Sequence, residues 1–473
     1  MNRLSRRTFL AASAAVTAAP ALGAPTHPLS QSQSIDFDVV IIGAGAAGIA
    51  AARRVSAAGR SFRLIEAANR VGGRCTTDTS TFGVPYDRGA HWIHMPELNP
   101  LTKLVPKLEF DVYAAPAAQR LRVGRRNARD SELEEYLGAL VRSNRAIADA
   151  ARGKTDINCD DALPKDLRDW RPTVEFVLGP YGCAKDLREI SAYDFAKSAE
   201  RDVDAFCRQG FGALLAKLAA AVPAALATPV TRIDTSDRLF VETEKGRLGA
   251  RAVIITASTN VLLSGDIKFT PELPKRQIDA LNQLKLGSYD HIALELIGNP
   301  LGLQRDDLVF EKSESARTAA LLANISGTSL ATVEVAGKFG RDLSAQGEQA
   351  MIAFALDWLT DLYGTDVKKT VKRTHATRWN AEPFARGAFT AANPGGQGAR
   401  KTLMEPVRDR IWFAGEAMHE TLWGTVGGAW ESGVRAAEGA LRKMGALKEP
   451  EEPRAKQAPN PAPKQPAKPL PKR

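Results

Sequence analysis

The sequence predicts an α/β fold that opens on a strand–helix–strand unit, and three observations carry that prediction. Phe37–Ile42 is a short β-branched run of the kind that fills a buried strand. Ala46–Ala58 is an alanine-rich stretch closed by Gly59, which reads as a helix with its terminating glycine in place. Phe62–Glu66 is a second strand, so residues 35–75 run strand, glycine turn, helix, strand.

The remaining elements follow in order. Residues 130–222 read mainly as amphipathic helices with loops at Pro164 and Pro172. Pro229–Ile233, Leu239–Glu244 and Ala252–Thr256 read as a hairpin, turning at Lys245-Gly246, that closes into a buried strand. Residues 286–335 mix strands with polar loops, 346–364 is a helix, and Gly428–Met444 is the last core helix. Beyond Pro450, prolines alternate with lysines and alanines in a polyproline-type tail expected to be disordered over 448–473.

Composition bounds the function. A chain of 473 residues, 44% hydrophobic and 25% charged, has room for two or three domains and is neither wholly disordered nor collagen-like. Four cysteines exclude a disulfide scaffold. No uncharged apolar run reaches the roughly 18–20 residues of a membrane span, so no stable membrane insertion is expected. The formal net charge of +10 suggests nucleic acid only until it is localised. Most of it sits before residue 35 and after residue 447, so no nucleic-acid partner is expected. The Arg120–Arg129 run has no interleaved aromatics and reads as a solvated loop. Ser5-Arg6-Arg7-Thr8-Phe9-Leu10, followed by alanine-rich residues to Ala24, resembles a Tat export signal over 1–24. That resemblance implies the Tat machinery as a partner and a periplasmic or secreted product.

Gly43-Ala-Gly45-Ala46-Ala-Gly48 lies between the first strand and the helix. The first glycine permits the tight turn, the second lets backbone approach a pyrophosphate, and the third lets the helix pack on the strand. The helix N-terminus then faces the anion. Glu66 ends the next strand, 23 residues after Gly43, where a carboxylate accepts hydrogen bonds from ribose hydroxyls. Together they predict a Rossmann-like FAD/NAD(P)-binding domain. Arg70-Val71-Gly72-Gly73-Arg74 adds backbone amides and an arginine for the same pyrophosphate.

This last run resembles the flavin amine oxidase superfamily, which favours FAD over NAD. Asp87-Arg-Gly89-Ala90-His91-Trp92-Ile-His94 is similar to the segment that crosses the flavin ring in polyamine oxidases. Phe413-Ala-Gly-Glu416, followed by Gly424-Thr425-Val426-Gly-Gly, is similar to the C-terminal flavin motif of monoamine and polyamine oxidases. The resemblance implies that Glu416 binds ribityl or ribose hydroxyls, that the Val426 amide faces the flavin pyrimidine oxygen, and that Val230 contacts the adenine through its backbone. It implies an amine oxidase fold, in which the FAD domain (35–108, 206–268 and 395–447) interleaves with a mixed α+β substrate domain (109–205 and 269–394).

The implied reaction is hydride transfer from the carbon next to an amine nitrogen onto flavin N5, with O2 or a periplasmic electron acceptor regenerating the flavin. Phe389, Thr425 and Trp423 are the implied walls of the amine slot, and His94 falls where polyamine oxidases place a histidine near substrate. Ala388 stands where monoamine oxidases carry the cysteine that bonds the flavin, so FAD is expected to be non-covalent. His291 occupies the slot of the family's flavin-facing lysine; it titrates nearer neutrality, and oxidase and dehydrogenase both stay open. A desaturase, an amino-acid oxidase and a non-catalytic flavin-binding interaction protein are the alternatives. No His/Cys/Asp/Glu cluster has metal-ligand spacing, so no metal is expected. Cys75 should be buried beside FAD. An oxidising compartment leaves two alternatives for Cys159, Cys183 and Cys207: two of them pair, or all three stay buried thiols.

Overall fold

The computed structural model describes residues 35–117, 119–198 and 203–448. The expected export signal at 1–24 and all but the first residue of the expected tail lie outside them.

Phe37–Ile42 pairs in parallel with Phe62–Ile65 on one side and with Gly246–Ile255 on the other. Val39, Val40 and Ile41 are wholly buried, as a strand covered on both faces requires. The sheet grows to eight strands, in the order Ala224–Ala225, Phe62–Ile65, Phe37–Ile42, Gly246–Ile255, Leu239–Thr243, Val230–Asp234 and Lys268–Thr270. Ile411–Phe413 also pairs in parallel with Gly246–Ile255. Chain segments more than 300 residues apart in sequence thereby share one layer.

The helix Ala46–Ala57 packs on this sheet and against the helix Val426–Lys443. Gly43 turns the chain at φ 99°, a conformation glycine adopts without strain. A Cβ on Gly48 would stand 1.8 Å from the Gly43 carbonyl oxygen, and one on Gly433 would stand 2.0 Å from that of Ala47. Gly48 is therefore needed where the helix closes on the glycine turn, and Gly433 where the two helices meet backbone to backbone.

A second, seven-stranded sheet runs Val371–Ala376, Tyr289–Leu296, Leu330–Ala336, Ala320–Ala323, Asp307–Glu311, Gln119–Val123 and Arg126–Asn127. One face carries Ile292, Leu294, Val333 and Val335 into a core with Met351, Ala355, Trp358 and Leu359 of the helix Glu348–Tyr363. The two-residue period of a strand puts Tyr289, His291, Thr332 and Glu334 on the other face. His291 lies directly across from Glu334 in the antiparallel register.

Three local expectations change. The Arg120–Arg129 run is not a solvated loop: most of it forms the edge hairpin of this second sheet. There Arg120 binds Asp307 at 2.6 Å and the Arg122 guanidinium lies 4.4 Å from the centre of the Tyr363 ring. Pro172 is not in a loop but in the first turn of the helix Arg171–Phe176, where its missing N–H costs nothing. Asp204–Cys207, within the region read as helical, is a strand between Ile93–His94 and Val112–Ala114.

Candidate active site

The two large sheets and the three-stranded one surround a cavity of about 1340 Å³. That exceeds the roughly 300–1,000 Å³ of a small-ligand pocket and suits a dinucleotide together with a substrate.

At one end, Gly45 and Gly72 form a parallel bridge, and the Gly72 amide donates to the Ala44 carbonyl at 2.8 Å. The helix that starts at Ala46 has no side-chain cap and no acid in its first turn. Its orphan amides and positive dipole end are thus left for an external anion. Glu66 is 7% exposed, and its oxygens accept from the Ala44 amide at 2.6 Å and the Ala68 amide at 2.8 Å. These bonds hold the carboxylate against the glycine turn, and it keeps lone pairs for ribose hydroxyls. Pro229 and Val230 line the wall nearby, where their strand begins. Glycine cradle, uncapped helix start and buried acid all fit FAD.

Arg74 and Glu416 both line the cavity and pair with each other. The Arg74 guanidinium donates to Glu416 at 2.9 Å and to the Ala388 carbonyl at 2.5 Å, so it spans the cavity wall rather than standing over the glycine turn. Arg70 folds back onto the Gly73 carbonyl at 2.8 Å. Glu416 also accepts from the Thr390 hydroxyl at 2.7 Å, the Thr390 amide at 3.3 Å and the Gly424 amide at 3.0 Å. A carboxylate 6% exposed must have its oxygens hydrogen-bonded, and these donors satisfy them. Glu416 therefore ties three wall segments together.

Gly89, Ala90, His91 and Trp92 line the opposite wall with Trp379, whose indole N–H donates to the Arg88 carbonyl at 2.9 Å. His91 stacks on Phe206 with ring centres 4.6 Å apart, and its Nδ1 meets Asp87 at 2.8 Å. Thr425 caps the helix Val426–Lys443 by accepting from the Gly428 amide at 2.9 Å, and Thr425 and Val426 both line the cavity at that helix start.

At the far end Phe389, Tyr289 and Tyr181 form an aromatic series with successive ring centres 6.0 Å apart. The Phe389 ring lies 2.9 Å from where a Gly424 Cβ would be. His94 and Asp204 share a 2.7 Å contact there and are about one-fifth exposed. His291 lines the same space with its Nδ1 3.1 Å from the Asp87 carbonyl. Burial lowers the pKa of His291 and favours its neutral form, although Glu334 opposes this. Tyr289 donates to Glu334 at 2.5 Å.

Trp423 is the clear correction. It is 1% exposed, belongs to the core cluster that holds Ala391 and Ile190, and lies beneath the Arg400 guanidinium at 4.9 Å. It does not line the cavity, because the tight turn at Gly424 sends the preceding side chain into the core while Thr425 faces inward. Its expected place is taken by Tyr181 and Tyr289, to which the sequence reading gave no role. Tyr289 sits two residues before His291, so strand alternation alone puts both on one face. Tyr181 ends the π-helical turn Val177–Tyr181, a distortion that no hydrophobic period announces.

The comparisons accord with this site. Residues 46–441 match the family described as flavin containing amine oxidoreductase. The chain belongs to that family. Human lysine-specific histone demethylase 2 is 26% identical over 84% of the chain, and probable polyamine oxidase 4 of Arabidopsis thaliana is 25% identical over 89% of the chain and 90% of its own length. The chain spans about half the length of the demethylase, 53%. Cyclohexylamine oxidase from Brevibacterium oxydans IH-35A shares the fold at a TM-score of 0.73, with 21% identity over 87% of this chain and all of its own. FAD is accordingly the cofactor that the glycine cradle, Glu66 and the Val426 helix start would hold.

The four cysteines are buried and none is in a disulfide. Among the described residues, no three His, Cys, Asp or Glu side chains are grouped to hold a metal ion, and no helix is long and apolar enough to cross a membrane.

Proposed function

We propose that this chain is an exported, FAD-dependent amine oxidase or dehydrogenase acting on primary or secondary amines, polyamines among them. One observation carries the reading: the aromatic series Tyr181–Tyr289–Phe389 lines the same cavity as the dinucleotide cradle, beside the His94–Asp204 pair. Bound FAD supplies the hydride acceptor. The aromatic walls exclude water and favour an amine in its neutral form, from which the α-carbon hydride leaves more readily. The resulting imine is hydrolysed to an aldehyde. Asp204, oriented by His94, offers a carboxylate to a distal ammonium group, which supports a polyamine. The polyamine oxidase relative supports the same substrate class.

His291 supports an electron acceptor other than O2, because a neutral imidazole stands in the lysine slot. With O2 as acceptor the by-product is H2O2. Ala388 lines the cavity without a thiol, and burial raises the Cys75 pKa well above that of a reactive thiol, which supports non-covalent FAD. Denatured holoprotein should release its flavin into the supernatant.

The test is anaerobic mixing of holoprotein with polyamines, monoamines and amino acids, followed by oxygen. Bleaching of the flavin by amines is expected; no bleaching by any amine would refute the reading. Slow return of colour in oxygen, accelerated in His291→Lys, is expected of a dehydrogenase. Export is tested by fractionating cells that express the full chain or an Arg6→Lys/Arg7→Lys variant, which should stay in the cytoplasm.

A further inference from the structure

An amine in water is protonated, whereas hydride leaves readily from its neutral form, so an amine-oxidising site needs somewhere to send a proton. The face of the second sheet that lines the cavity carries such a place. Tyr289 reaches the cavity among Tyr181, Phe389 and His291, and its hydroxyl donates to Glu334 Oε2 at 2.5 Å. Burial raises the Tyr289 pKa, so the phenol keeps its proton and Glu334 is the acceptor of the pair.

Glu334 is 1% exposed and has no Lys or Arg partner among the described residues. Its other oxygen accepts from the Thr332 hydroxyl at 3.3 Å and stands 4.0 Å from His291 Nε2. Across the neighbouring strand it faces Ala320, which is apolar. Behind it lies a chamber of about 10 Å³, lined by Thr332, His291, His91 and Asp87 together with the apolar Leu322, Ile325 and Leu330. That is near the smallest space that holds one water. His91 is 7% exposed, its Nδ1 is engaged with Asp87, and its Nε2 has no hydrogen-bond partner among the described residues. A buried carboxylate that accepts from a cavity-lining phenol, with no Lys or Arg partner among the described residues and an imidazole nitrogen across a small chamber, is placed where a proton from the cavity can be delivered to it.

We propose that Glu334 takes the substrate's proton through Tyr289. An N–H bond of the bound ammonium breaks as the phenol oxygen gains that proton; the phenol O–H breaks as Glu334 gains the phenol's own. The amine is left neutral, Tyr289 is restored and Glu334 becomes a carboxylic acid, with no change in oxidation state. One chamber water then joins the new acid to His91 Nε2. Tyr289 touches the substrate; Glu334 acts through it. The proposal rests on the amine-oxidising reading above.

The test compares Glu334→Gln, Glu334→Asp and Tyr289→Phe holoproteins with the parent in anaerobic stopped-flow reduction by a bleaching amine. General bases contribute about 100- to 10,000-fold. E334Q and Y289F should reduce flavin at least tenfold more slowly near pH 7, and E334D should recover part of the loss. The gap should narrow to within about threefold near pH 10, where roughly a quarter of a free alkylamine is already neutral, against less than about a thousandth at pH 7. A second readout needs no turnover. Binding tert-butylamine, which has no α-hydrogen, should raise a protonated-carboxyl band in the infrared difference spectrum that E334Q lacks; this band also decides the matter if a variant fails to fold. Parent-like reduction by E334Q at pH 7, a deficit constant across pH, or absence of the band would each overturn the relay alone. No bleaching of the parent by any amine would refute the parent reading and the relay with it.

Discussion

Arg400 and Asp194 form a buried ion pair whose loss should be felt both in stability and at the flavin wall. Each side chain is 2% exposed, and the carboxylate binds the guanidinium at 2.7 and 2.8 Å while also accepting the Ala392 amide at 2.8 Å. Asp194→Ala leaves a guanidinium inside the protein without its countercharge, a loss of about 3–5 kcal/mol. With an unfolding entropy of about 2.1 cal/mol/K per residue over roughly 410 folded residues, the thermal midpoint should fall by about 4–6 °C. Arg400 also donates to the Ala417 carbonyl at 2.9 Å and the Thr390 hydroxyl at 3.2 Å, the two flanks of Glu416. Flavin fluorescence during heating should therefore report release earlier than in the parent. The double variant Asp194→Leu/Arg400→Met removes both charges and should regain much of the midpoint, because an apolar pair carries no desolvation penalty. It should not regain flavin retention, since replacing Arg400 also removes its contacts to Ala417 and Thr390. A D194A midpoint within 1 °C of the parent, or a double variant no more stable than D194A, would refute the reasoning.

Glu66→Gln puts an amide where two backbone donors converge and should weaken FAD binding about 10- to 100-fold in a titration of the apoprotein; a change below threefold would remove Glu66 from the cradle. Phe389→Ala should lower kcat/KM for amines at least tenfold, whereas Trp423→Phe should leave kcat/KM within about twofold and lower the thermal midpoint; the reverse pattern would return Trp423 to the cavity wall. Burial raises the Asp290 pKa to about 7, against about 3.9 unfolded. Between these values the folded state binds more protons than the unfolded one, so stability attributable to this group falls as pH rises from about 4 to 7. Asp290→Asn should flatten that slope in denaturant midpoints measured across the window, and an unchanged slope would contradict the assignment.

Local chemistry was legible wherever a backbone requirement is written in residue type. Gly43, Gly45 and Gly48 between a β-branched run and an alanine-rich helix announce an anion cradle, because few other residues permit those turns and approaches. Thr425 before Val426 announces a helix start in the same way. Side-chain direction beyond a turn was not legible. Trp423 and Thr425 are two residues apart, yet one enters the core and the other faces the cavity, a choice made by the bend at Gly424.

The sequence by itself determined the parallel unit, the cofactor cradle and the approximate order of elements, since each depends on propensities and spacings within a few tens of residues, while motifs spread from Gly43 to Gly433 carried the resemblance to the family. Only the tertiary structure decided who meets whom across hundreds of residues. It paired Arg74 with Glu416, set Tyr181 beside Tyr289, and laid Glu334 opposite His291. Those meetings depend on strand register and on burial, where a charge must find a partner or a way to lose itself, and neither is encoded in any single stretch of chain.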